Sequence, residues 1–124
     1  KAGAYCIKHA DGDIRRIESR FSPENLPYNL ALVELIKSWA LRKQATPAQI
    51  SLAWLLAQKP WVVPIPGTTQ MSHMIENIGA ANVTFTTAEL AELNRSVAAI
   101  QIRGARLPDA VQVFSDVEAP PKLR

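Results

Sequence analysis

Leu32, Leu35, Ile36 and Trp39 recur at the i, i+3, i+4, i+7 spacing of a single helix face, while Glu34, Lys37 and Ser38 fall opposite them. This pattern predicts an amphipathic helix from Pro27 to about Arg42. Proline is tolerated at its first position, where the amide has no helical partner, and Ser22-Pro23-Glu24 ahead of it reads as a capped turn. Thr46-Pro47-Ala48-Gln49 starts the next helix: a threonine cap, a proline in the first turn and a glutamine able to bond back to the cap amide. That helix is apolar on every side (Ile50, Leu52, Ala53, Trp54, Leu55, Leu56, Ala57) until Gln58-Lys59-Pro60 stops it, which predicts cover on more than one side. Residues 61–65 form a short apolar run that reads as a buried strand, ended by Pro64 and Pro66, which have no ladder donor.

After Gly67-Thr68-Thr69-Gln70 the period returns to helical. Met71, Met74, Ile75 and Ile78 share a face, with Ser72 expected as the cap. Residues 82–85 read as extended. Thr86-Thr87-Ala88-Glu89 is a second capping box, opening a helix with Leu90, Leu93, Val97 and Ile100 inward. Residues 1–20 keep no period and read as irregular or as a weak hairpin around Asp11-Gly12. Beyond Arg103, Gly104 and Pro108 mark a loop, and Pro120-Pro121 a frayed end. The expected organisation is an irregular segment 1–20, a folded part 21–103 and a tail 104–124.

Composition limits what this skeleton can be. A chain of 124 residues, 48% hydrophobic and 20% charged, is at most one globular domain. Lys and Arg exceed Asp and Glu by 14 to 11, a formal charge of +3, but the basic residues are scattered without a run or interleaved aromatics, which argues against nucleic acid as a partner. A helix-turn-helix reading of the helices flanking Lys43-Gln44-Ala45 ranks last, because the second is apolar where a recognition helix must be polar. The lone Cys6 excludes an internal disulfide framework and a multi-cysteine metal site; a reducing, cytoplasmic setting is expected. No apolar window approaches the roughly 18 residues of a membrane span, the start lacks a signal-peptide pattern, and the sequon Asn82-Val83-Thr84 is read as meaningless. The first residue is Lys1 rather than methionine, and an altered or truncated N-terminus is expected.

Candidate chemistry concentrates between residues 67 and 77. A strand that stops at a proline, crosses Gly67, Thr68 and Thr69 and enters a helix collects unpaired backbone N–H groups at one place, a ready anion site. Glycine allows close approach of a phosphate, the threonine hydroxyls add donors and His73 could contribute positive charge, as a weaker clamp than arginine. One turn on, Glu76 and Asn77 offer an acceptor and an amide suited to the edge of a flat heterocycle such as adenine. On spacing alone a second reading stays open: Gly67 as a turn, Ser72 as a cap, and Glu76 and Asn77 as a solvated face.

The ordered series from Arg20-Phe21-Ser22-Pro23-Glu24-Asn25 through Thr46-Pro47-Ala48-Gln49-Ile50 and Ala53-Trp54-Leu55-Leu56 to Val63-Pro64-Ile65-Pro66-Gly67-Thr68 and Glu76-Asn77 closely resembles the C-terminal part of an aldo-keto reductase. The resemblance implies an α/β fold, the C-terminal portion of a (β/α)8 TIM barrel, mostly helical here with about one barrel strand. Residues 61–65 would be the eighth strand, the helix from Thr46 would feed it, the helix near Ser72 would complete the ring, and the helix from Thr86 would be an extra one. The cofactor implied is NADP(H): Gly67, Thr68 and Thr69 would approach the adenosine 2′-phosphate, Gln70 and His73 would flank it, and Glu76 and Asn77 would meet the adenine. Some branches carry lysine at the place of Gly67 and arginine at that of His73. Residues 104–108 resemble the family's segment near the substrate mouth, whereas residues 1–19 match no part of the family.

The activity implied is reduction of a small-molecule aldehyde or ketone by hydride transfer, with no nucleic acid, membrane or metal involved. The catalytic Asp, Tyr, Lys and His of the family come from earlier strands, so no catalytic residue is assigned, and Tyr5, Lys8 and His9 are read as a chance trio. A full barrel needs about 250 residues. The chain is therefore expected to be the closing fraction of one, inactive alone and self-associating through Trp54, Leu55, Leu56 and Trp61. The alternative is a non-catalytic NADP-binding regulatory or interaction module.

Overall fold

The computed structural model describes Asp13, Arg15 and residues 17–106. The expected hairpin at Asp11-Gly12, the trio Tyr5, Lys8 and His9, Cys6, Pro108 and the end at Pro120-Pro121 lie outside the described residues. Helices are α1 (Leu26–Lys43), α2 (Pro47–Gln58), α3 (Met71–Gly79) and α4 (Thr87–Ala98), with short 3-10 turns at Ser19–Phe21 and Ala80–Asn82. The chain divides into two compact units: residues up to Asn29 together with those from Ile102 onward, and residues 30–101. No helix among the described residues is long and apolar enough to cross a membrane.

In the unit of residues 30–101 both expected capping boxes form. Thr46 Oγ1 accepts from the Gln49 amide at 3.2 Å while Gln49 Oε1 accepts from the Thr46 amide at 3.1 Å. Thr86 and Glu89 repeat the exchange at 3.2 and 2.8 Å. Each box satisfies donors that a helix start would otherwise leave without a partner. Helix α1 ends in a left-handed residue, Gln44 at φ 52°. The Gln44 amide donates to Leu41 O and the Ala45 amide to Ala40 O, the paired bonds of a Schellman motif. Glycine is the residue that enters this conformation without a Cβ penalty. Gln44→Gly is expected to raise stability by about 0.5 to 1 kcal/mol, read as a higher urea midpoint at unchanged slope.

The core is built from Trp39 and Ala40 of α1, Ile50 of α2 and Leu93 of α4, with Leu35, Ile36, Trp54, Val83, Phe85 and Val97 packed around them. Trp39 meets Phe85 edge-on at 5.8 Å. The Arg42 guanidinium lies 4.0 Å from the Trp39 ring centre and reaches both carboxylate oxygens of Glu92, at 2.8 and 3.3 Å. Trp54 Nε1 donates to Asn94 Oδ1 at 2.7 Å, giving the indole N–H a partner within the packed face.

Glu89 has a second task. Its Oε2 accepts from Lys43 Nζ at 2.7 Å as well as from the Thr86 amide, so one carboxylate closes the α4 cap and ties it to the end of α1. The hydrogen bond from Lys43, then that from the Thr86 backbone, hold the Glu89 carboxyl down at about 2. A carboxyl depressed in the folded state stabilises fully above its ordinary value, near 4.5, and loses that contribution as pH falls towards about 2. Carboxyl titration by NMR is expected to place Glu89 at the acid end of that window, and Lys43→Met to move it back towards the ordinary range.

Two sequence expectations, the strand at 61–65 and the Ser72 cap, are corrected. Residues 62–68 carry no regular structure and no β-ladder forms among the described residues, so the strand expected at 61–65 is not formed there, while the mostly helical character expected of the chain is observed. Trp61, Val63 and Ile65 are 75%, 76% and 93% exposed, whereas Val62 and Pro64 are half-buried: one side of the segment rests on the unit and the other is open. A run of this kind becomes a buried strand only when neighbouring strands take up its backbone groups. Helix α2 is covered on more than one side, as its composition predicts: Ile50 and Trp54 pack in the core with α1 and α4, and the helix also packs against α3 and the 3-10 turn that follows it, while Leu55 and Leu56 remain exposed. Finally, α3 is not capped by Ser72. Thr68 Oγ1 accepts from the Gln70 amide at 3.1 Å, a local turn that makes Gln70 the N-cap and draws Ser72 inside the first helical turn.

In the other unit, Asn29 ties segments distant in sequence. Its Nδ2 donates to the carbonyls of Arg20 and Arg103, both at 2.9 Å, and its Oδ1 accepts from the Arg103 amide at 2.8 Å. Arg20 Nε donates to Gly104 O at 3.2 Å, and the Arg103 guanidinium stacks 3.3 Å from the Tyr28 ring centre.

Candidate functional site

The joint between residues 62–68 and α3 gathers most of the chemistry anticipated from the sequence. The segment carries no regular structure, Thr68 turns it back on Gln70, and α3 begins at Met71 without a side-chain cap. The first intrahelical bond runs from the Met74 amide to Gln70 O at 3.1 Å. The amides of the first turn therefore precede the helix ladder and receive no acceptor from the N-cap side chain, at the positive end of the helix.

Gly67, Thr69, Gln70 and His73 are all exposed around this end. A β carbon on Gly67 would meet no heavy atom within 4 Å, so the space beside it is open to something other than the protein. Thr68 is the exception among the expected donors. Its hydroxyl is engaged with Gln70, so it shapes the turn and has less capacity left for an external anion.

A groove of about 370 Å³ runs from this joint between α2 and α3. Leu52 and Leu56 form one wall, Val63 and Pro66 another, Met74 and Ile78 a third, and the side chains at Thr68 and Asn77 are its polar points. The structure thus brings Thr68 and Asn77 to one apolar cleft and leaves Gly67, Thr69, Gln70 and His73 at its exposed edge. Glu76 and Asn77 are half-buried, one turn past the helix start. Such an arrangement, an apolar slot with few polar groups next to a helix start that has no side-chain cap, suits a flat ring joined to an anion. No cluster of His, Cys, Asp and Glu able to hold a metal exists among the described residues.

One residue of consequence escaped the sequence reading as anything but a cap. Gln49 Nε2 donates to the Glu76 carbonyl at 3.0 Å, linking the start of α2 to α3. The available signal was Gly79: a β carbon there would lie 2.6 Å from Gln49 Nε2, so that position must stay small for the side chain to reach α3. Here glycine supplies room; the backbone is ordinary α-helix at that position.

Residues 7–98 match the aldo/keto reductase family model, and the match starts upstream of Arg20, where the motif resemblance begins, which corrects the expectation for residues 7–19. The NADP(+) aldo-keto reductase yakc of Schizosaccharomyces pombe is 39% identical over 114 residues, covering 90% of this chain and 34% of that protein. The chain spans about a third of the length of this curated relative. No solved structure matches the chain.

Proposed function

The chain belongs to the aldo/keto reductase family, and on that premise we propose that it supplies the pocket for the adenosine 2′-phosphate end of NADP(H) in an enzyme that reduces aldehydes or ketones. The observation that carries the reading is the uncapped start of α3 beside the open space at Gly67. The yeast relative is itself named for NADP(+).

The residues present fit this group. Backbone amides of the first α3 turn, with Thr69, Gln70 and His73 around them, would hold the phosphate, and Asn77 and Glu76 would meet the adenine where it enters the groove. When bound, the coenzyme supplies a hydride for the carbonyl carbon. What the chain's own residues do is orient one end of that coenzyme: donate to the phosphate, close an apolar wall on the ring and fix its edge. Proton donation to the carbonyl is assigned in this reading to the rest of the enzyme, since the chain spans about a third of the length of its curated relative. We therefore expect no turnover from the chain alone, a cytoplasmic setting, and association through the open apolar faces of residues 61–65 and α3.

The test is an NMR titration of the chain with NADPH and, separately, NADH. Amide shifts at residues 67–73 that are larger with NADPH support the reading. Equal responses to both would remove the 2′-phosphate assignment, and silence at these amides would remove the pocket.

A further inference from the structure

We propose that Gln49 is a positioning residue for the adenine end of this pocket: without touching the coenzyme, its side-chain amide sets where Glu76 and Asn77 stand. The inference rests on the reading of the pocket given above.

Every polar atom of the Gln49 side chain is committed, and in two directions. Oε1 accepts from the Thr46 amide and closes the α2 cap, while Nε2 donates to Glu76 O. That carbonyl needs an outside donor. The end of α3 tightens into the 3-10 turn Ala80–Asn82, and the Ala80 amide, which would serve Glu76 in a continuing α-helix, turns to Asn77 O and Ile78 O instead. Gln49 takes the place of that missing donor. The approach is possible only because residue 79 has no β carbon. The last turn of α3 is thereby pinned to the first turn of α2, and the two residues so held, Glu76 by its own carbonyl and Asn77 next to it, are those that would read the adenine.

The double use of one side chain allows its two roles to be separated. Gln49→Glu keeps an oxygen for the Thr46 amide, since glutamate serves a capping box as well as glutamine does. It also sets a carboxylate oxygen against the Glu76 carbonyl in place of the donor. A purely structural role predicts a lower thermal midpoint with equal losses for both coenzymes.

The measurement is a titration of the unsubstituted chain, Gln49→Glu and Gly79→Ala with NADPH and with its analogue carrying hypoxanthine in place of adenine. Thermal midpoints are recorded alongside. The expected result is a preference of the unsubstituted chain for the adenine form. In Gln49→Glu, NADPH binding weakens about tenfold and that preference narrows, the thermal midpoint falls slightly, and the amide shifts at Gly67 and Thr69 are retained. Gly79→Ala, which displaces the same amide from the other side, is expected to change the preference in the same direction. Unchanged affinity and preference in Gln49→Glu would overturn the proposal, as would equal losses for both coenzymes accompanied by a lower midpoint. No response of the unsubstituted chain to NADPH would defeat the reading of the pocket itself, and this inference with it.

Discussion

Leu93→Ala is expected to lower the stability of the unit of residues 30–101 by about 3 kcal/mol, within the range of truncations that leave a cavity in a packed core. Leu93 and Ile50 are both 0% exposed, the two largest side chains fully enclosed. Leu93 is the only residue of α4 in the buried cluster, and it meets Trp39 and Ala40 of α1 and Ile50 of α2 there. The groups around it are held by other bonds: Trp39 between Phe85 and Arg42, and Trp54 by Asn94. They cannot collapse freely into the space left behind, which places the cost well above the transfer term alone. Since small domains are stable by only about 5 to 15 kcal/mol, a loss of this size is read directly as a lower urea midpoint. Leu90→Ala, on the half-buried flank of the same helix, should cost distinctly less. Equal losses at the two positions would mean that α4 is not anchored through Leu93.

Gly104→Ala is the second large effect, and it acts in the other unit. Gly104 has φ 87°, a conformation unfavourable to any residue with a β carbon. An added β carbon would also lie 2.8 Å from Arg20 N, from Ser19 C and from Ser19 Oγ. Two of those atoms belong to the backbone and have no rotamer by which to withdraw. The segment from Arg103 to Ala105 must shift instead, which strains the bonds from Arg20 to Gly104 O, from Ser19 to Ala105 O and between Asn29 and Arg103. A local loss of about 2 to 3 kcal/mol is expected. Hydrogen exchange at the Arg103 amide, which Asn29 Oδ1 accepts, is the direct reporter. Protection there equal to that of the unsubstituted chain would show that the turn tolerates a side chain.

The contrast between what was readable and what was not follows interaction range. Both capping boxes appear where the motif spacing puts them, and α1 and α4 bury the faces that their periods mark. Ser72 misled because a threonine four residues earlier offered the backbone an equally local alternative, and hydroxyl residues compete for the same amides. Gln49 was legible as a cap and illegible as a tether, since its Nε2 partner lies 27 positions along the chain. Asn29 left no signal in sequence, because an asparagine on a helix declares nothing about a carbonyl 74 positions away. At the candidate site the residue types and order were readable from the motif, whereas the engagement of the Thr68 hydroxyl with Gln70 and the sharing of one groove by Thr68 and Asn77 were not.

The sequence by itself determined the helix starts, the faces of α1 and α4 and the family, because caps, periods and ordered motifs are properties of neighbours a few residues apart. Only the tertiary structure decided which apolar surfaces are covered. It closed α1, α2 and α4 around Ile50 and Leu93 and left Trp61, Val63, Ile65 and the apolar side of α3 open. An apolar residue announces that it gains from burial but not what will bury it, and that is settled where separate elements meet in space.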